Sequence, residues 1–470
     1  MKRSLPFLVV ALLDLLNACG GGGSGTPTTP SAPATHFTVS GPANIPSAIS
    51  FQFTVTALDA SNHTVTNYSG TVHFTSTDPH SQLPPDSTLA SGTKVFTATL
   101  MTGGNQMITT TDKATSSITG SSNSINVGAI VAAFPVEWFG AKGDGVTDDT
   151  AAIQRAIDAA SAAGGGTVVF KVARYFTTGT FIVPDGVVLS GTVEGPFDVS
   201  GDPAATAIAP TLLVTNTSDP FLTLQGNGSS GVTDLLFHYP NQVKTRASAP
   251  KVYPYTILLR SGNVARSTVT NAYNFLDVNN GRDIVQDLYI GAFNIGVHID
   301  HTFNGLTLHN VHNGVFWDEV EGASYPTAID NWVLNNGTAL VVQRIDGLLM
   351  HNFFVFSRFA GILLTDSPDT SLDTRSGGGV GSNIDLEQVQ YGIIASASTA
   401  YRYGYEFTNL QVGAAPGLGQ AAVQLQAGGS DPPDLLVNGG SVRGTWALGA
   451  FPTPQAGNLT HLYIIGSDLP

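Results

Sequence analysis

Residues 138–170 read W-F-G-A-K-G-D-G-V-T-D-D-T-A-A-I-Q-R-A-I-D-A-A-S-A-A-G-G-G-T-V-V-F. Ala152, Ile153, Ala156, Ile157 and Ala160 recur at helical spacing, so one helix over Thr150–Ala163 is expected, with Asp148 or Asp149 as its capping carboxylate. Gly164, Gly165 and Gly166 stop that helix. Thr167–Phe170 is short and β-branched, hence a strand. A Tyr175-containing strand and F-I-V-P-D-G-V-V-L-S-G follow. The pattern describes a single helix laid against the first of many strands.

Past Gly195 short apolar strands recur without an amphipathic helix of useful length. They include Phe221–Leu224, Tyr255–Leu259, Ile284–Ile290, Gly305–Leu308, Ala339–Val342, Gly361–Leu364 and Ala421–Leu425. An isolated hairpin could not bury these faces, whereas stacked coils could. Asn274, Asn294, Asn310, Asn313 and Asn335 fall at turn-like places, where side-chain amides can satisfy backbone groups and stack from coil to coil.

The opening stretch resembles the first segment of pectate lyase-like parallel β-helix proteins. Trp138, Phe139, Gly140, Gly143, Asp144, Gly145, Asp148, Asp149, Thr150, Ile153, Gln154, Ala156 and Ile157 carry the likeness, continued by Gly165, Gly166, Val168 and Phe170. It implies an all-β fold, a right-handed parallel β-helix over 136–470 whose N-terminal end the helix covers. It leaves the chemistry open, because such proteins include hydrolases, lyases, uronan epimerases and phage tail spikes.

Ahead of that domain, residues 36–128 alternate with period two between turn-rich joints, which predicts a small β-sandwich. Asn67–Ser76 and Thr109–Asp112 resemble bacterial immunoglobulin-like modules. Residues 1–18 read as an export signal: Lys2 and Arg3, an apolar run from Leu5 to Leu16 interrupted by Asp14, then Leu16-Asn17-Ala18-Cys19. This resembles a lipoprotein signal, which implies lipidation of Cys19, the only cysteine, and a flexible Gly/Ser/Thr/Pro tether over 19–35. With no Asp after Cys19, an extracytoplasmic place at the outer membrane or cell surface is expected. Loss of membrane fractionation in Cys19→Ser checks it.

The 470 residues carry 19 Lys plus Arg against 34 Asp plus Glu, a net charge of -15. That sign argues against a nucleic-acid partner. Export and a long stacked surface point instead to a polysaccharide or oligosaccharide.

Candidate catalytic residues come from aligning Gly296-Val297-His298-Ile299-Asp300, Gly314-Val315-Phe316-Trp317-Asp318 and Gly361-Ile362-Leu363-Leu364-Thr365-Asp366 on their glycines. If Gly296 and Gly314 head adjacent coils, Asp300 and Asp318 share a column about 4.8 Å apart, with Asp277 one step below and Glu319 beside them. Glycosidic hydrolysis needs one carboxyl as acid and one as base or nucleophile. Like charges at short range leave one of the pair protonated. His298, His301, Trp317, Arg344, His351 and Arg358 are the expected substrate-binding residues.

A lyase would instead use a basic residue at the uronate C5 proton, drawn from His298, Arg344, His351 or Arg358. Non-catalytic glycan binding is a third reading. No metal is expected, since no His or Cys pair has zinc-site spacing. Calcium is the one cation the carboxylates would accept.

Overall fold

The computed structural model describes residues 32–47, 49–79, 81–128, 133–199, 208–242, 249–279, 283–303, 305–314, 327–369, 377–395, 404–414, 421–425, 435–443 and 462–468. Cys19 and its neighbours lie outside that set.

The alternation in the N-terminal part builds two antiparallel sheets, beside a small mixed sheet of Asn44–Ile45, Ile125–Val127 and Gly104–Gln106. One joins His36–Ser40, Ser50–Leu58 and Thr93–Thr99, and the other Ser87–Thr88, Thr71–Ser76, Ile108–Asp112 and Thr119–Ser121. Alternate side chains of Ser50–Leu58 turn inward as Phe53, Val55 and Ala57. Phe53, Phe74 and Phe96 meet with ring centroids 4.7 to 5.8 Å apart. They form a sandwich core of their own, distinct from the one that follows.

From Ala133 onward, 23 strands among the described residues form one continuous parallel sheet wound into coils, a parallel β-helix. Three columns of side chains run inward. Val264, Val285, Leu308 and Met350 stack in the first, Leu288, Val311, Phe353 and Ile384 in the second, Leu276, Val297, Leu340 and Ile362 in the third. All are buried, and each such side chain contributes roughly 1.5–3 kcal/mol relative to exposure.

The corner between the first and second columns needs one left-handed residue per coil, and Asp287, Asn310, Asn352, Asn383 and Asn409 supply it, with φ of 53° or 54°. Asn suits the position because it tolerates that conformation and its amide both donates and accepts. Asn310 Nδ2 donates to Asp287 Oδ1 at 2.8 Å, Asn383 to Asn352 at 3.2 Å and Asn409 to Asn383 at 2.9 Å. Asn294 likewise donates to Asn274 at 2.9 Å. Asn313 and Asn335 do not join such a ladder. Asn313 is fully buried, donating to the Ala339 carbonyl, and Asn335 lies on a helix.

Helix α1, Thr150–Ala162, buries the expected apolar face against the first coil. Of the two expected carboxylates, Asp148 is the one that reaches the first turn. Asp148 Oδ1 accepts from Thr150 N at 3.0 Å, while Asp149 turns back to take the amides of Lys142 and Gly143 at 2.6 and 3.0 Å. A second helix, α2 (Ala328–Asn336), interrupts the strands where none was expected. Thr327 and Asp330 close a reciprocal capping box, and Ile329 and Val333 pack on Phe293.

Asp283 opens the strand Asp283–Asp300 and is 3% exposed. Its Oδ1 accepts from Gly262 N at 2.8 Å, and its buried Oδ2 has no hydrogen-bond partner among the described residues. Burial, only partly offset by that amide, pushes its pKa up to about 6. The unfolded chain therefore gives up this proton at lower pH than the fold does. The contribution is fully present below about pH 4 and is lost as pH rises to about 6, a fall of about 2–3 kcal/mol. Denaturant melts across that window should show the fall in the wild type and not in Asp283→Asn.

Candidate active site on the third column

The outward row of the third column runs Leu258, Asp277, His298, Val341, Leu363 on successive coils. This register corrects the glycine alignment. Gly296 is level with Ala339 and then Gly361, whereas Gly314 ends a strand of the second column, paired with Phe356. A glycine followed by an apolar pair occurs at two different corners, and spacing alone could not tell them apart. Asp277 consequently sits under His298, and Asn279, not Asp277, sits under Asp300. Trp317, Asp318 and Glu319 lie outside the described residues.

Asp277 and His298 pair at 2.7 Å between Oδ1 and Nδ1, each about one-fifth exposed. His298 Nε2 faces Gln343 Oε1 at 2.9 Å. With oxygen acceptors at both ring nitrogens, the imidazole can donate twice, which requires the cation. Burial opposes that charge, but Asp277, Gln343 and the nearby Asp300 outweigh it and the pKa is raised. Tyr255 lies alongside, its ring centroid 5.9 Å from that of His298 and the planes 23° apart. Burial and the Asp277 charge push the Tyr255 phenol well up, so it stays protonated.

Two residues on, the chain turns a corner. Asp300, 6% exposed, accepts from the amides of His301 at 2.9 Å and Arg344 at 3.2 Å through Oδ1, and from Ser367 Oγ at 2.9 Å through Oδ2. His301 Nδ1 lies 3.1 Å from the same Oδ2, and its Nε2 lies 3.5 Å from Asp369. Arg344 pairs with Asp346 at 2.6 Å and stacks its guanidinium 5.0 Å over Phe303.

Asp277, His298, Asp300, His301 and Arg344 are thus brought together. His351 is not: it stands on the outer face of the first column, stacked on His309 and bonded to Ser382 Oγ at 2.8 Å. Arg358 is 1% exposed and donates to the carbonyls of Ala292 and Phe293, which makes it part of a corner and not a substrate contact. Tyr255 and Gln343 were not singled out as site residues. A short apolar run that ends in two polar residues, Val341-Val342-Gln343-Arg344, is the signal that could have found Gln343.

Fold and register define a parallel β-helix with a polar cluster on one outer column. Residues 133–339 match the family model described as rhamnogalacturonase A/epimerase, pectate lyase-like. Among curated proteins, the mannuronan C5-epimerase AlgE4 of Azotobacter vinelandii is 48% identical over 69 residues, 13% of this chain and 12% of that protein. Alginate lyase 7 of the same organism is 54% identical over 56 residues, 12% and 6% of the two chains. The chain spans only these small fractions of the curated relatives it matches. Of solved structures, the A-module of the Azotobacter vinelandii epimerase AlgE4 overlays with a TM-score of 0.42 at 16% identity, covering 71% of this chain and 94% of that one.

Proposed function

We propose that the protein is a polysaccharide-modifying enzyme that moves a proton on a uronate ring, by elimination or by epimerisation at C5. The observation that carries this reading is His298, about one-fifth exposed on the outer face and held between Asp277 at Nδ1 and Gln343 at Nε2, so that Gln343 must turn aside for Nε2 to meet a substrate proton. A carboxylate behind an imidazole sets its tautomer and stabilises the imidazolium formed when Nε2 takes a proton. The electron pair left at C5 either expels the C4 oxygen, giving an unsaturated sugar, or recovers a proton from the opposite face. Tyr255 supplies the neighbouring phenol proton.

The names of the matched relatives, C5-epimerases and an alginate lyase, support the same chemistry. Hydrolysis by Asp300 is less well supported, since the residue is 6% exposed with both oxygens accepting hydrogen bonds from the corner, whereas the His298 side chain is about one-fifth exposed. The net charge of -15 repels a polyuronate at long range, but an imidazolium in the floor of the site acts at contact.

The test is a panel of uronans and neutral glycans followed for unsaturated uronyl absorbance, new reducing ends and the C5 proton signals in NMR. Absorbance identifies elimination, and inverted C5 signals without cleavage identify epimerisation. Reducing ends without absorbance would overturn the reading in favour of hydrolysis, and binding alone would leave a glycan-binding surface protein.

A further inference from the structure

We propose that His309 and His351 form a two-imidazole site for one divalent transition-metal ion, on the outer face of the first column and away from the His298 cluster. Sequence spacing conceals the pair, because the chain passes through α2 and the third column between them. Coil register brings it together: His309 on the strand Leu306–Gly314 is level with His351 on the strand Leu348–Phe356. Their rings stack with centroids 5.5 Å apart and planes 20° apart, and both residues are exposed.

Imidazole nitrogen suits copper, nickel and zinc. His351 Nδ1 lies 2.8 Å from Ser382 Oγ on the following coil. With Nδ1–H donating to that hydroxyl, Nε2 keeps its lone pair for a metal, the outer support that ligating histidines use. His309 has no hydrogen bond or ion pair among the described residues, so its nitrogens are open. Metal–nitrogen bonds of about 2.0–2.1 Å hold two adjacent ligands about 3 Å apart. The stacked rings stand wider than that, and their exposure leaves them room to tilt together.

Gln286 precedes the pair along the row, and Ser382 and Thr408 follow it. These side chains are neutral, and none supplies the carboxylate oxygens that calcium requires. The row therefore selects a nitrogen-seeking ion with water completing its shell, and copper(II) heads the order of affinity. Such an ion links the strand that leads into the α2 excursion to the strand that follows it. An ion that binds the stacked coils and not the separated strands favours the folded chain by mass action. The site lies on a different column from His298, so it takes no part in the chemistry there.

The experiment is a titration of the chelator-treated full-length protein with copper(II) chloride, read by calorimetry, electron paramagnetic resonance and thermal melting. The wild type should bind an equivalent of copper whose spectrum shows two imidazole nitrogens, and its thermal midpoint should rise. His309→Gln and His351→Gln, changes at exposed positions, should each weaken that equivalent at least about tenfold and abolish the rise, because a single imidazole forfeits the gain from linked ligands. Calcium chloride should produce neither effect. Equal copper affinity and equal midpoints in the wild type and both variants overturn the proposal and leave the two rings as a packed surface pair. A calcium response that either substitution removes overturns it as well.

Discussion

Replacing His298 by glutamine is expected to lower kcat/KM by about 10²–10⁴, the range over which a positioned acid–base group accelerates proton transfer. Asp277→Asn should fall within the same range for a different reason. Asparagine can still accept at Nδ1, but it no longer stabilises the imidazolium that forms when Nε2 takes the proton. The pH profile separates the two effects. A base works only when deprotonated, and the His298 pKa is raised, so the acid limb of kcat/KM should lie above the ordinary histidine value of about 6.5. In Asp277→Asn that limb should move down, because a charge that favours the cation is gone. His351→Gln is the control. It stands on another column and should leave both rate and profile unchanged. If His298→Gln keeps wild-type activity on a glycan that the wild type processes, proton transfer resides elsewhere.

Much of the fold is legible before any coordinate is known. The helix at Thr150, the glycine stop, the short apolar strands and the amide ladder at Asn310 each follow from local physics that the coil geometry reinforces. α2 is the element the sequence reading misses: Thr327 and Asp330 form its capping box, but its short apolar face sits amid strands and carries little periodicity. The site was harder. His298, Asp300 and Asp277 could be picked by residue type, but their partners depend on which corner each glycine turns, and Gly296 and Gly314 turn different ones. The coil that leaves Asp300 returns only at Thr338, a detour that no fixed spacing encodes. Gln343 and Ser367 are ordinary polar residues whose roles exist only once three turns are stacked.

Asp149→Ala should be the most destabilising single change in the opening motif. The carboxylate is 1% exposed and accepts the amides of Lys142 and Gly143. Hydrogen bonds to a charged acceptor are worth about 1.5–3 kcal/mol each, so losing both costs about 3–6 kcal/mol. The cost is not recovered by rearrangement. Gly143 holds φ of 62° with Ala173 Cβ only 2.8 Å from where its own Cβ would stand, so this loop has one way to lie against the next coil. Asp144 offers the contrast within the same motif. It binds Val146 N, Thr147 N and Thr147 Oγ1 as an exposed local turn, and water replaces those contacts when it is truncated, so Asp144→Ala should have a small effect. In a solenoid each coil is supported only by its neighbours, so a loosened end frays first. Hydrogen exchange over Phe134–Phe170 should therefore accelerate in Asp149→Ala more than over the coils around His298, with the thermal midpoint lower by several degrees. Equal melting of the Asp149 and Asp144 variants would mean that the buried carboxylate does not hold the end of the helix closed.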